Sequence, residues 1–152
     1  FVLPKAQIAE NTKYIPGTDG EKMSKSKGNT INLFQTDKKL RKQIMGIQTD
    51  STPLEKPKNP DTCNVFALYK LLANSNETED LRAKYLAGNF GYGHAKQALF
   101  ELIVEKYQKQ RQAFTDYMND KAELDNQLEI GAQKATHVAD DVLSRVRTKL
   151  GY

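Results

Sequence analysis

The stretch Gly20-Glu21-Lys22-Met23-Ser24-Lys25-Ser26-Lys27-Gly28 divides this 152-residue chain into two parts of different character. Before it come Pro4, Pro16 and Gly17, with the short apolar pieces Val2-Leu3 and Tyr14-Ile15 between them. Such pieces read as strand remnants or connections, too short to fold as a unit. After it, apolar residues recur at the spacing of a helix rather than a strand. The chain is therefore expected to be all-α beyond the loop.

The helical readings run in order. Thr36 can cap a helix to about Ile47, with Leu40, Ile44 and Ile47 on one face. Lys38, Lys39 and Lys42 fall mostly on the other. Residues 49–60, with Pro53, Pro57 and Pro60, read as a loop. Asp61 or Thr62 can cap a helix carrying Val65, Phe66, Leu68, Tyr69 and Leu72. Asn76 and Glu79 have capping-box-like spacing ahead of Leu81, Tyr85 and Leu86. Gly88 to Gly93 break the pattern, and one long helix is expected from about Ala95 through Ile103 to Phe114, Tyr117 and Met118. Asp120 and Glu123 repeat the cap spacing. The last helix carries Ala135, Val138, Ala139, Val142, Leu143, Val146 and Leu150 as an apolar stripe. These patterns predict an all-helical bundle over 30–152.

Composition narrows the classes. Charged residues make up 28% and the hydrophobic class 38%, enough to bury a core and too apolar for wholesale disorder. No apolar run reaches membrane-spanning length, so no membrane partner is expected. Phe1 in place of an initiator Met reads as the start of an excised piece. Cys63 is the only cysteine, which excludes an internal disulfide and fits a reducing cytosol. With only His94 and His137 beside it, no His/Cys metal site of ordinary spacing can be built.

The formal charge of +4 is unevenly placed. Residues 1–60 hold eleven Lys/Arg against six Asp/Glu; residues 61–152 hold twelve against thirteen. Within 22–42 there are seven basic residues and one acid, Asp37. A basic field this local suits polyphosphate or nucleic acid, and equally a solvated lysine-rich face.

The loop itself favours polyphosphate. The ammonium groups of Lys22 and Lys25, three residues apart, can converge on one triphosphate if the backbone turns between them. Ser24 and Ser26 add hydroxyl donors, and exposed backbone N–H groups add more. Met23 can anchor the loop through its apolar side chain. Gly20 and Gly28 at its ends predict a mobile loop on a stable bundle.

Lys22-Met23-Ser24-Lys25-Ser26 resembles the signature loop of class I aminoacyl-tRNA synthetases and matches it without a change. The resemblance extends to the tryptophan branch of that family through Ile15 to Gly20, Thr49-Asp50-Ser51, Gly91 to Lys96 and Gly131 to Ala135, the last resembling a turn of that branch's final helix. It implies that residues 1–29 are the C-terminal edge of a Rossmann-type catalytic domain and 30–152 a helical anticodon-binding domain. It implies an ATP site at Lys22, Met23, Ser24, Lys25 and Ser26, with Lys22 and Lys25 catalytic. There the two lysines would stabilise charge on pyrophosphate as the amino-acid carboxylate attacks the α-phosphate.

ATP with Mg2+, tryptophan and tRNA(Trp) are the implied substrates, and a cytoplasmic homodimer the implied state of the intact enzyme. The H-I-G-H motif and tryptophan pocket of the family have no counterpart in these residues, so the chain alone is expected to be inactive. The sister tyrosine enzyme and a stand-alone tRNA-binding module remain as alternatives. Lys106, Lys109 and Arg111 form the best basic cluster for tRNA among the helices, or a solvated face. Phe90 and Tyr92 suit stacking on bases or a core role.

Overall fold

Leu40 and Ile44, Val65, Phe66 and Leu68, Leu81 and Tyr85, and Ala95, Leu99 and Ile103 come from four different helices and meet in one core. The structure is a computed structural model and describes residues 2–8 and 14–152. The helices are α1 (Asp37–Met45), α2 (Asn64–Leu72), α3 (Ser75–Ala87), α4 (Tyr92–Lys106), α5 (Gln108–Asn119) and α6 (Lys121–Leu150), with a 3-10 turn at Pro60–Thr62. Among the described residues there is no strand, only an isolated antiparallel bridge between Pro16 and Lys22. The fold is all-α, as the periodicity predicts. The chain divides into two compact units, Phe1–Gln108 and Lys109–Tyr152. The division expected at residue 29 therefore falls inside the first.

In the first unit α4 is the central element, packed by both α1 and α2, while α3 lies against α2. Tyr85 is the largest fully buried side chain. Phe66 meets it edge-on at 5.5 Å, and Phe90 and Tyr92 close around it at 5.8 and 6.1 Å. Burial pushes the Tyr85 phenol far up from its ordinary range, and its hydroxyl meets the Cys63 sulfur at 3.4 Å.

The loop between α1 and α2 is organised by Lys58, which sequence reading passed over. Only 3% of Lys58 is exposed. Its Nζ donates to the carbonyls of Pro53, Leu54 and Lys56 at 3.0, 3.3 and 3.3 Å. It also lies 5.4 Å from the centre of the Tyr92 ring. The same loop explains Gly88: its φ is +76°, and a Cβ there would stand 2.6 Å from the Glu55 carbonyl oxygen.

Helix starts differ from expectation in two places. The capping box is closed by Asn74 and Glu77, one pair upstream of Asn76 and Glu79. Both pairs have the right spacing, and the earlier start adds about a half-turn to a helix that buries Thr78, Leu81 and Tyr85. The backbone at Cys63, not Asp61 or Thr62, opens α2. Asn59 caps the 3-10 turn instead, and Asp61 binds Arg82 at 2.7 Å. The long helix expected after Gly93 is two helices, α4 ending at Lys106 with Tyr107 as its C-cap.

The second unit forms its helices by local means. Asp120 accepts from the Glu123 N–H at 3.0 Å, and Gly151 ends α6 in the left-handed conformation with Tyr152 N–H on the Arg147 carbonyl. Gly131 to Ala135 lie inside α6, the last helix. Neither α5 nor α6 buries a residue. Their apolar stripes are intact and exposed. No helix among the described residues is long and apolar enough to cross a membrane.

Candidate functional site

Residues 15–23 form a small hairpin. Gly17 N–H donates to the Glu21 carbonyl at 2.7 Å, and Met23 N–H to the Ile15 carbonyl at 2.8 Å. Extended backbone alternates its side chains, so Lys22 is exposed while Met23 is partly buried against the helical core with Ile31 and Leu33. Met23 is thus the anchor its chemistry suggested. Thr18 extends the docking, its carbonyl accepting from Gln48 N–H at 2.8 Å just beyond α1.

The loop then turns. Gly28 N–H closes on the Lys25 carbonyl at 3.2 Å, with Gly28 at φ +68°. The hydroxyls of Ser24 and Ser26 lie 2.9 Å apart, and Lys27 pairs with Glu21 at 3.6 Å. Lys22 and Lys25 are both exposed, on either side of Met23 and Ser24. A cleft of about 400 Å³ opens beside the loop between Thr18, Gly28 and the α1 lysines Lys39 and Lys42. The lysine-rich face of α1 and the loop thus border one space.

Asn29 holds the loop from beneath. It is 3% exposed. Its Oδ1 accepts from Ser24 N–H at 2.8 Å, and its Nδ2 donates to Asp19 Oδ1 at 2.7 Å and to the Lys22 carbonyl at 3.2 Å. The Asn29 amide holds the Asp19 carboxyl below the usual carboxylate range. The bonds of this segment are concentrated at residues 17–24 and 29.

A loop that presents two lysines and two hydroxyls over a folded turn can bind a polyphosphate. The family model for class I tRNA synthetases (W and Y) matches residues 2–108. The chain belongs to this family of class I tRNA synthetases.

Its similarity to individual synthetases is broad. It is 43% identical to the tryptophan–tRNA ligase of Fusobacterium nucleatum and 45% to that of Rhodopirellula baltica, each over 99% of this chain. The match takes in 46% and 47% of those two proteins, so the chain spans about half the length of the curated relatives it matches. A crystal structure of the Campylobacter jejuni tryptophanyl-tRNA synthetase, complexed with ADP and tryptophan, superposes with a TM-score of 0.85 at 38% identity. It covers all of this chain, which matches 48% of that one.

Other candidates are used within the synthetase fold. Tyr92 donates to Asp50 Oδ1 at 2.8 Å and packs on Tyr85; desolvation, then the Asp50 bond, push its phenol up to about 12. Phe90 packs between Tyr85 and His94. Asp50 also accepts from Thr52 N–H at 2.8 Å. Lys96 donates to the Met45 carbonyl at the end of α1, and burial pulls its ammonium down.

Of the basic cluster, Lys106 belongs to the first unit and donates to the Leu72 carbonyl at the end of α2. Lys109 and Arg111 belong to the second unit. No group of three or more His, Cys, Asp or Glu that could hold a metal occurs among the described residues.

Sequence reading missed Asn29 because its type alone says nothing. The signal was its place: a polar residue directly after the loop's last glycine and ahead of Ile31 and Leu33.

Proposed function

We propose that this chain is the C-terminal half of a tryptophan–tRNA ligase. Residues 1–29 are then the edge of the catalytic domain, and 30–152 the domain that approaches tRNA(Trp). Lys22 and Lys25, with Ser24 and Ser26, grip the β- and γ-phosphates of ATP, which arrives with Mg2+ as part of the substrate. As the tryptophan carboxylate attacks the α-phosphate, charge accumulates on the departing pyrophosphate. The two ammonium groups interact most strongly at that moment, and so lower the barrier rather than merely tightening binding. No side chain is needed as a base, since the attacking carboxylate is already ionised.

The observation that carries this reading is the loop: both lysines exposed on one folded turn that is tied to the helices through Met23 and Asn29. In this reading Met23 serves the nucleotide site only as an anchor. Lys109 and Arg111 stay candidates for tRNA, while Lys106 is committed to α2. The intact enzyme is a cytoplasmic homodimer.

Tryptophan-dependent exchange of pyrophosphate into ATP by the intact protein tests the reading. Exchange with tryptophan and none with tyrosine is expected. Exchange with tyrosine alone would transfer the chain to the sister enzyme. The 152-residue chain by itself is expected to give none, since the pocket for tryptophan lies in the other half.

A further inference from the structure

Asn29 satisfies all the donors of its side chain, and all three partners lie in the lysine loop or directly before it. Its amide carries two donors and one acceptor oxygen. Both donors and the oxygen are engaged, by Asp19, by the Lys22 carbonyl and by the Ser24 N–H. None of these partners belongs to a helix. A residue that merely filled the core would face α1 or α4. Gly17 makes room for it: a Cβ at Gly17 would stand 2.4 Å from the Asn29 amide.

The bonds have a particular layout. The Lys22 carbonyl and the Ser24 N–H are the two peptide groups that flank Met23. Holding both fixes the backbone of Met23, and so the directions in which Lys22 and Ser24 leave the loop. Asp19 sets the sense of the amide. A carboxylate accepts and cannot donate, so Nδ2 must face it and Oδ1 must face Ser24 N–H. Reversal of the amide would set an oxygen against Asp19 and an N–H against an N–H.

We propose that Asn29, oriented by Asp19, is the positioning residue of the loop, fixing Lys22 and Ser24 toward the phosphates of ATP. The proposal rests on the reading of the loop as the ATP-phosphate site. Displacement of a transition-state group by about 1 Å can cost on the order of 100-fold in rate, so the effect belongs in kcat.

The test uses the intact enzyme, with pyrophosphate exchange and thermal melting measured on each variant. Asn29→Ala is expected to lower kcat by about 10- to 100-fold with the KM for tryptophan changed less than about 2-fold. Asn29→Asp sets one carboxylate against another and is expected to lose about 100-fold at neutral pH. Its activity should climb as the pH falls toward 5, because a protonated Asp at 29 donates again.

The double variant Asp19→Asn with Asn29→Asp removes the clash of carboxylates but leaves the Lys22 carbonyl without its donor. It should therefore stay well below wild type at neutral pH, as Asn29→Ala does. Exchange at the wild-type rate by Asn29→Ala and by Asn29→Asp at neutral pH would overturn the proposal. So would a loss that merely follows the unfolded fraction in the melts. A wild-type enzyme without tryptophan-dependent exchange would instead sink the reading of the site. An active wild type that Lys25→Ala impairs and Asn29→Ala does not would sink the positioning role alone.

Discussion

Leu99 in α4 and Val142 in α6 sit in apolar stripes of the same helical period, yet Leu99 is 0% exposed and Val142 is 43% exposed. In the first unit the stripes of α1, α2 and α4 cover one another, and α3 contributes Tyr85. In the second, α6 keeps Val138, Val142, Leu143 and Leu150 open. It is held by its caps and by bonds one turn apart, such as Gln127 to Glu123 and Gln133 to Glu129. An apolar stripe therefore specifies a helix and a face. Only tertiary contact converts the face into stability.

Substitutions should separate the two regions. Leu99→Ala removes fully buried methyl groups and is expected to cost the chain about 2–5 kcal/mol in denaturant unfolding. Val142→Ala should stay within about 0.5 kcal/mol in the same assay. Equal costs would mean that α6 is buried in solution.

Lys58→Met is the next largest. It strips three loop carbonyls of their shared donor and is expected to cost about 1–3 kcal/mol. Lys134→Met, on exposed α6, should cost next to nothing.

Caps give a smaller contrast of a different kind. Asn74→Ala breaks the α3 capping box and should lower the cooperative melt by about 1 kcal/mol. Asp120→Ala removes the matching bond of α6, and should reduce helical circular dichroism without moving that melt.

The smallest effect is acid sensitivity. The Thr52 hydroxyl and N–H hold the Asp50 carboxyl low, and the Arg82 guanidinium does the same for Asp61. Both lie in the first unit. A carboxylate held low stabilises the fold fully above its unfolded value of about 3.9, and the gain is lost as pH falls through the lower folded value. The melting temperature should therefore drop below about pH 4, and less steeply in Asp50→Asn with Asp61→Asn. An unchanged slope would remove these carboxylates from the acid response.

Most of the helices were legible because Leu40, Ile44, Leu99 and Ile103 repeat at helical spacing. The loop was legible because its five signature residues are contiguous. What stayed hidden depended on three-dimensional neighbours. Nothing local distinguishes the Asn74 cap from Asn76, or ends α4 at Lys106. Lys58 and Asn29 are polar types that normally face water, and only the carbonyls and N–H groups brought around them by folding account for their burial. The unburied stripe of α6 was hidden for the same reason, since periodicity cannot say whether a partner is present.

The exposed lysine pair is proposed to act on the pyrophosphate leaving ATP. Single-turnover formation of tryptophanyl-adenylate by the intact enzyme, measured beside the equilibrium Kd for tryptophan, tests it most directly. Lys22→Ala and Lys25→Ala are each expected to slow adenylate formation by about 100-fold or more while the Kd moves only a few-fold. Adenylate formation at the wild-type rate in both variants would contradict it.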